Sequence, residues 1–149
     1  MMRRGAVFGA LAVVLAAAGA SFAQGMVLFI EIGRSNPEPA RPTEPIATIR
    51  DLSLALRRCW NPPPLDSLNG PVDVTFAVSF KRSGELFGKP QAVTFVRPVT
   101  PEQRARYYTA VAEARDLCSR LPFTDAMGGA VAGRVFRVNF LDRRGSRGT

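Results

Sequence analysis

The sequence predicts an α+β domain of order helix-strand-strand-helix-strand, with a three-stranded antiparallel sheet and two helices packed on one face. Three observations carry this expectation. Val72 to Phe80 alternates apolar residues with smaller or polar ones, the period of a half-buried strand. Thr100-Pro101-Glu102-Gln103 opens a helix with a capping hydroxyl, a proline at the first helical position and a glutamine that closes a capping box. Cys59 and Cys118 each end a stretch with helical spacing, a few residues before a proline.

The first helix is expected where Ile46, Ile49, Leu52, Leu56 and Cys59 recur on one side of the helical wheel, while Arg50, Asp51, Arg57 and Arg58 fall mostly elsewhere. Thr48 followed by Asp51 resembles a start signal, although Glu or Gln is the usual partner. The helix must stop before Pro62-Pro63-Pro64. Trp60, just past its end, reads as a core plug rather than a ligand platform.

In the first strand Val72, Val74, Phe76, Val78 and Phe80 point inward. Lys81 to Glu85 turns the chain, with Gly84 supplying a positive φ. The return runs from Leu86 to Val96, and Gly88 and Pro90 within it predict a bulge and an edge position, because proline cannot donate to a central ladder. The second helix continues through Tyr107, Val111, Ala114 and Cys118 and is closed by Pro122. Gly128, Gly129 and Gly133 punctuate an expected loop. Val135 to Phe140 forms the last strand, with Phe136, Val138 and Phe140 inward. A hairpin followed by a helical crossover sets this strand beside the first, leaving its outer edge open.

Outside the domain, expected at residues 46–141, the flanks read differently. Arg3 and Arg4, the uncharged run Ala6 to Ala20 and Ser21-Phe22-Ala23 have the form of an export signal spanning residues 1–23. The competing reading is an uncleaved membrane anchor, since Met26 to Ile32 is apolar again and extends the run. Residues 24–45 read as an apolar start and a linker rich in proline (Pro37, Pro39, Pro42, Pro45), and residues 142–149 as a basic flexible tail.

The chain has 149 residues, a formal net charge of +8 and no histidine. Without imidazole, the common serine and cysteine nucleophiles lack their base, and the usual zinc sites lack a ligand. No metal or cofactor is expected. Two lone cysteines in an exported chain predict a disulfide between Cys59 and Cys118, worth about 4 kcal/mol through restriction of the unfolded chain. Basic charge can attract nucleic acid, anionic lipid or envelope polymers, and export to the periplasm makes nucleic acid the least expected of these.

With Cys-Trp-Asn-Pro closing the first helix, Val-x-Val-x-Phe-x-Val opening the sheet, a Ser-Gly turn, and Cys-x-x-Leu-Pro-Phe closing the second helix, residues 46–141 resemble the C-terminal domain shared by TonB and TolA, closest to the TolA-like branch with a cysteine pair. That resemblance implies a periplasmic binding module of the cell envelope, in a family whose long members are tethered to the inner membrane and coupled to a transport motor. The departures are the missing histidine in the N-terminal segment, the short linker, and Gly and Ala from Gly128 to Gly133 where relatives place an aromatic residue.

Two kinds of function are compatible with these residues. One is non-catalytic protein binding, in which an envelope protein or extended peptide adds a strand to an exposed sheet edge, expected along Arg134, Val135, Arg137, Asn139 and Leu141. A strand-paired homodimer uses the same device. The alternative is a small secreted hydrolase working through carboxylates, for which Asp66, Asp73, Glu85 and Asp125 are candidates without motif spacing. Binding of envelope polymer or lipid by the basic tail is a further alternative.

Overall fold

The structure is a computed structural model that describes residues 25–68 and 70–145; the expected export signal lies outside the described residues. Its elements are β1 (Met26–Ile32), α1 (Ile49–Cys59), a short 3-10 turn (Leu65–Ser67), β2 (Val74–Ser79), β3 (Gln91–Phe95), α2 (Pro101–Leu117), α3 (Asp125–Val131) and β4 (Val135–Asp142).

Local sequence sets the helix starts as expected. The Thr48 hydroxyl accepts from the Asp51 amide at 3.1 Å, and the Asp51 carboxylate accepts from the amides of Ala47 and Thr48 at 3.0 Å. Aspartate thus serves where glutamate is usual. The Ala47 amide foremost, with the Thr48 hydroxyl, holds its carboxyl below the ordinary carboxylate range. At α2 the Thr100 hydroxyl and the Gln103 amide side chain complete the second capping box.

The sheet departs from the expected plan. It has four strands in the order β1-β4-β2-β3 and is mixed, because β1 runs parallel to β4 while the other pairs are antiparallel. The three-stranded antiparallel sheet with two helices is therefore incorrect. Met26 to Ile32, lying between Gly25 and Gly33, is a short apolar run whose alternate residues Leu28, Ile30 and Ile32 are buried with Phe136, Val138 and Phe140 in the core. Burying that row on the sheet stabilises the segment more than a linker conformation could. Residues 24–45 thus contain a core strand, and Met26–Ile32 is strand rather than a continuation of an apolar anchor.

A third helix, α3, occupies what reads in sequence as a glycine loop. Thr124 caps it by accepting from the Met127 amide at 3.2 Å, and Met127 and Val131 are buried. Gly128 serves close packing, since a Cβ there would overlap the carbonyl of Arg82.

The Pro-rich segment after β1 is a strap laid along the domain. The Ala40 amide donates to the Arg58 carbonyl at 3.0 Å, Arg57 Nε donates to Asn36 Oδ1 at 2.6 Å, and the Arg41 guanidinium donates to Ser119 Oγ and the Asp116 carbonyl. The basic tail is likewise anchored at its start. Arg144 pairs with the buried carboxylate of Asp142 at 2.6 Å and donates to the Pro63 carbonyl.

The core lies between the sheet and the helices. Trp60 is buried at its centre, against Phe140, Phe76 and Tyr107. Beside it a disulfide joins Cys59 to Cys118 across 5.9 Å between Cα atoms, tying the end of α1 to the end of α2.

Candidate functional site

The residues expected to recruit a partner lie on β4 or at its entrance, and that strand is interior. Its backbone pairs with β1 on one side and β2 on the other, so the open edge expected at Arg134 to Leu141 is occupied. What Val135, Arg137, Asn139 and Leu141 share instead is the sheet face opposite the helices. Val135 and Arg137 are exposed there, and Arg134 is exposed just before the strand. Asn139 is internally committed: Thr75 Oγ1 donates to its Oδ1 at 2.6 Å and its Nδ2 donates to the Leu28 carbonyl at 3.3 Å.

The open edges are those of β1 and β3, and they differ. In β3 the pairing with β2 shifts register, Ala92 adopts a φ of 53°, and Pro90 precedes the strand, all of which disrupt a flat edge. β1 runs unbroken over seven residues without proline or bulge.

The hydrogen bonding of β1 fixes which groups face outward. The Ile32 carbonyl accepts from the Arg143 amide at 2.9 Å, so Ile32 turns its backbone toward β4. Backbone polarity alternates along a strand, and Leu28 and Ile30 turn the same way. Val27, Phe29 and Glu31 therefore present their N–H and C=O groups to the outer side, where no partner meets them among the described residues. Their side chains stand on the face away from the helices, with Phe29 69% and Val27 48% exposed. A regular apolar edge of this kind is a template for another strand.

Sequence reasoning missed this edge. The detectable signal is the short apolar run between two glycines, which reads as a buried strand when taken apart from the segment before it.

The candidate carboxylates do not converge. Asp73 Oδ1 accepts from the Asp142 amide at 2.8 Å and pairs with Arg143, whereas Glu85, in the β2–β3 turn, pairs with Lys81 of the same turn and with Arg120 from the α2–α3 connection. Asp66 lies in the 3-10 turn and Asp125 opens α3. Among the described residues no group of three or more Cys, Asp or Glu could hold a metal ion, and no helix is long and apolar enough to cross a membrane. A groove of 530 Å³ between the strap and α1 is lined by Arg41, Glu44, Asp51, Leu54 and Arg58 among others. Asp51 there is already used by the helix cap.

A family model described as Uncharacterised conserved protein UCP034077 matches residues 42–144, more than half of the chain. The chain belongs to that family. The UCP034077 match runs from the end of the strap through β4 to Arg144, and β1 lies before its first residue. No curated protein and no solved structure matches the chain.

Proposed function

We propose that this protein is a non-catalytic binding module of the periplasm that takes up an extended segment of an envelope protein or peptide as an additional strand along β1. The observation that carries the reading is the outward row of backbone groups on Val27, Phe29 and Glu31. Main-chain hydrogen bonds would supply affinity with little dependence on sequence, and the exposed Val27 and Phe29 side chains would add selectivity. The Arg3–Ala23 leader pattern and the Cys59–Cys118 disulfide support an exported location. The motif resemblance over residues 46–141 supports the binding character, and the dispersal of the carboxylates favours it over a hydrolase.

Site-specific photocrosslinking in cells tests this. Benzoylphenylalanine in place of Phe29 should yield protein adducts that the same probe in place of Arg106, exposed on α2, does not yield. Adducts from Arg106 with none from Phe29 or Val27 would refute it.

A further inference from the structure

We infer that the strand added to β1 is the β1 of a second copy of this chain, paired antiparallel about a two-fold axis through Phe29; this rests on the reading of β1 as a strand-addition edge. The argument is one of self-complementarity. In an antiparallel pair centred on Phe29, residue 27 faces residue 31 of the partner, and residue 29 faces its own counterpart. Those are the residues whose backbone groups point outward. Val27 and Glu31 exchange both hydrogen bonds across the axis, Phe29 exchanges both with its copy, and every outward N–H and C=O of the three residues finds a partner. A register centred on Leu28 or Ile30 leaves Glu31 or Val27 without a counterpart inside the strand. One centred on Glu31 sets two carboxylates face to face.

The side chains agree with the same register. On the core face Leu28 meets Ile30 and Met26 meets Ile32, so the apolar row of one sheet continues into the next. On the open face Phe29 meets Phe29, an aromatic cross-strand pair. Glu31 lies opposite Val27, which keeps the two acids apart. The product is a continuous sheet built from two four-stranded sheets, with an isologous interface.

Sedimentation equilibrium of the exported protein with a charge-swap pair tests the inference. The native chain should approach twice the monomer mass as concentration rises. Phe29→Asp and Phe29→Lys each place like charges across the axis and should each sediment as monomers with unchanged circular dichroism. An equimolar mixture should recover the dimer. Val27→Lys faces Glu31 and should dimerise at least as tightly as the native chain, which guards against a general loss of fold. A monomeric native chain, a dimer that survives Phe29→Asp, or a mixture that stays monomeric would overturn the proposal. Photocrosslinking from Phe29 to a different protein by a monomeric chain would overturn self-pairing and leave strand addition standing.

Discussion

The indole of Trp60 lies flat on the ring of Phe140, with planes 4° apart and centroids 4.6 Å from one another. Trp60 is the residue that follows α1, and Phe140 belongs to the strand shared by β1 and β2. This contact joins the helix layer to the middle of the sheet. Replacing Trp60 by Ala should cost about 3–5 kcal/mol, the range for removing a large buried aromatic. Urea denaturation followed by circular dichroism measures it, since the chain has one Trp and the variant loses its fluorescence. Trp60→Phe should keep more than half of the lost stability.

The disulfide closes a segment of 59 residues. Cys59→Ala combined with Cys118→Ala should lower stability by about 4 kcal/mol, a large share of the 5–15 kcal/mol typical of small domains. The native protein in excess dithiothreitol should fall to a similar midpoint in denaturant. Equal midpoints with and without reductant would mean that packing at the helix ends, not the covalent link, holds them together.

Burial, with the Asp142 carboxylate adding to it, pushes the phenol of Tyr107 up to about 12. Its hydroxyl faces the Val72 carbonyl at 3.4 Å, a partner suited to the neutral form. Because the folded value lies above the unfolded one, the contribution is complete below about pH 10 and is lost as pH rises toward 12. In Tyr108→Phe, where Tyr107 is the only phenol left, phenolate absorbance should appear near pH 12, close to alkaline unfolding. Titration near pH 10 in the folded protein would contradict the burial.

Residues carrying local chemistry made most elements readable in advance. The Thr48 and Thr100 caps, the alternation from Val72 to Phe80, the positive φ of Gly84 and the edge position announced by Pro90 all lie where the sequence places them. Two elements escaped because their signals depend on long-range contacts. Met26–Ile32 shares its hydrophobicity with the apolar run of sequence before it, and only pairing with β4 distinguishes a strand from an extended apolar segment. Asp125–Val131 contains Gly128 and Gly129, poor helix formers alone, and it is the tertiary approach of Gly128 to the Arg82 carbonyl, invisible in local sequence, that seats the helix there. Without β1 the open edge falls on β4, whereas β4 is interior and β1 is the edge strand.

The two glycines of α3 should respond in opposite directions. Gly128→Ala drives a methyl into the Arg82 carbonyl and should cost about 1–3 kcal/mol through displacement of the helix. Gly129→Ala meets only the Arg82 guanidinium at ordinary contact distance, 3.6 Å, and should gain about 0.5–1 kcal/mol from helix propensity. Thermal denaturation of the two variants side by side gives the comparison. Equal shifts would show that α3 is not seated on the hairpin turn.

The parallel partnership of β1 with β4 joins the earliest strand of the described chain to the latest. A ribosome or a translocation channel delivers the chain from its N-terminus, so Leu28, Ile30 and Ile32 emerge long before Phe136, Val138 and Phe140 arrive to receive them. Throughout that interval the nascent chain carries an unpaired greasy ribbon, and completion of the sheet must wait for the last residues. Truncation anywhere ahead of β4 would leave that ribbon permanently uncovered, which gives proteases and chaperones a handle on unfinished chains.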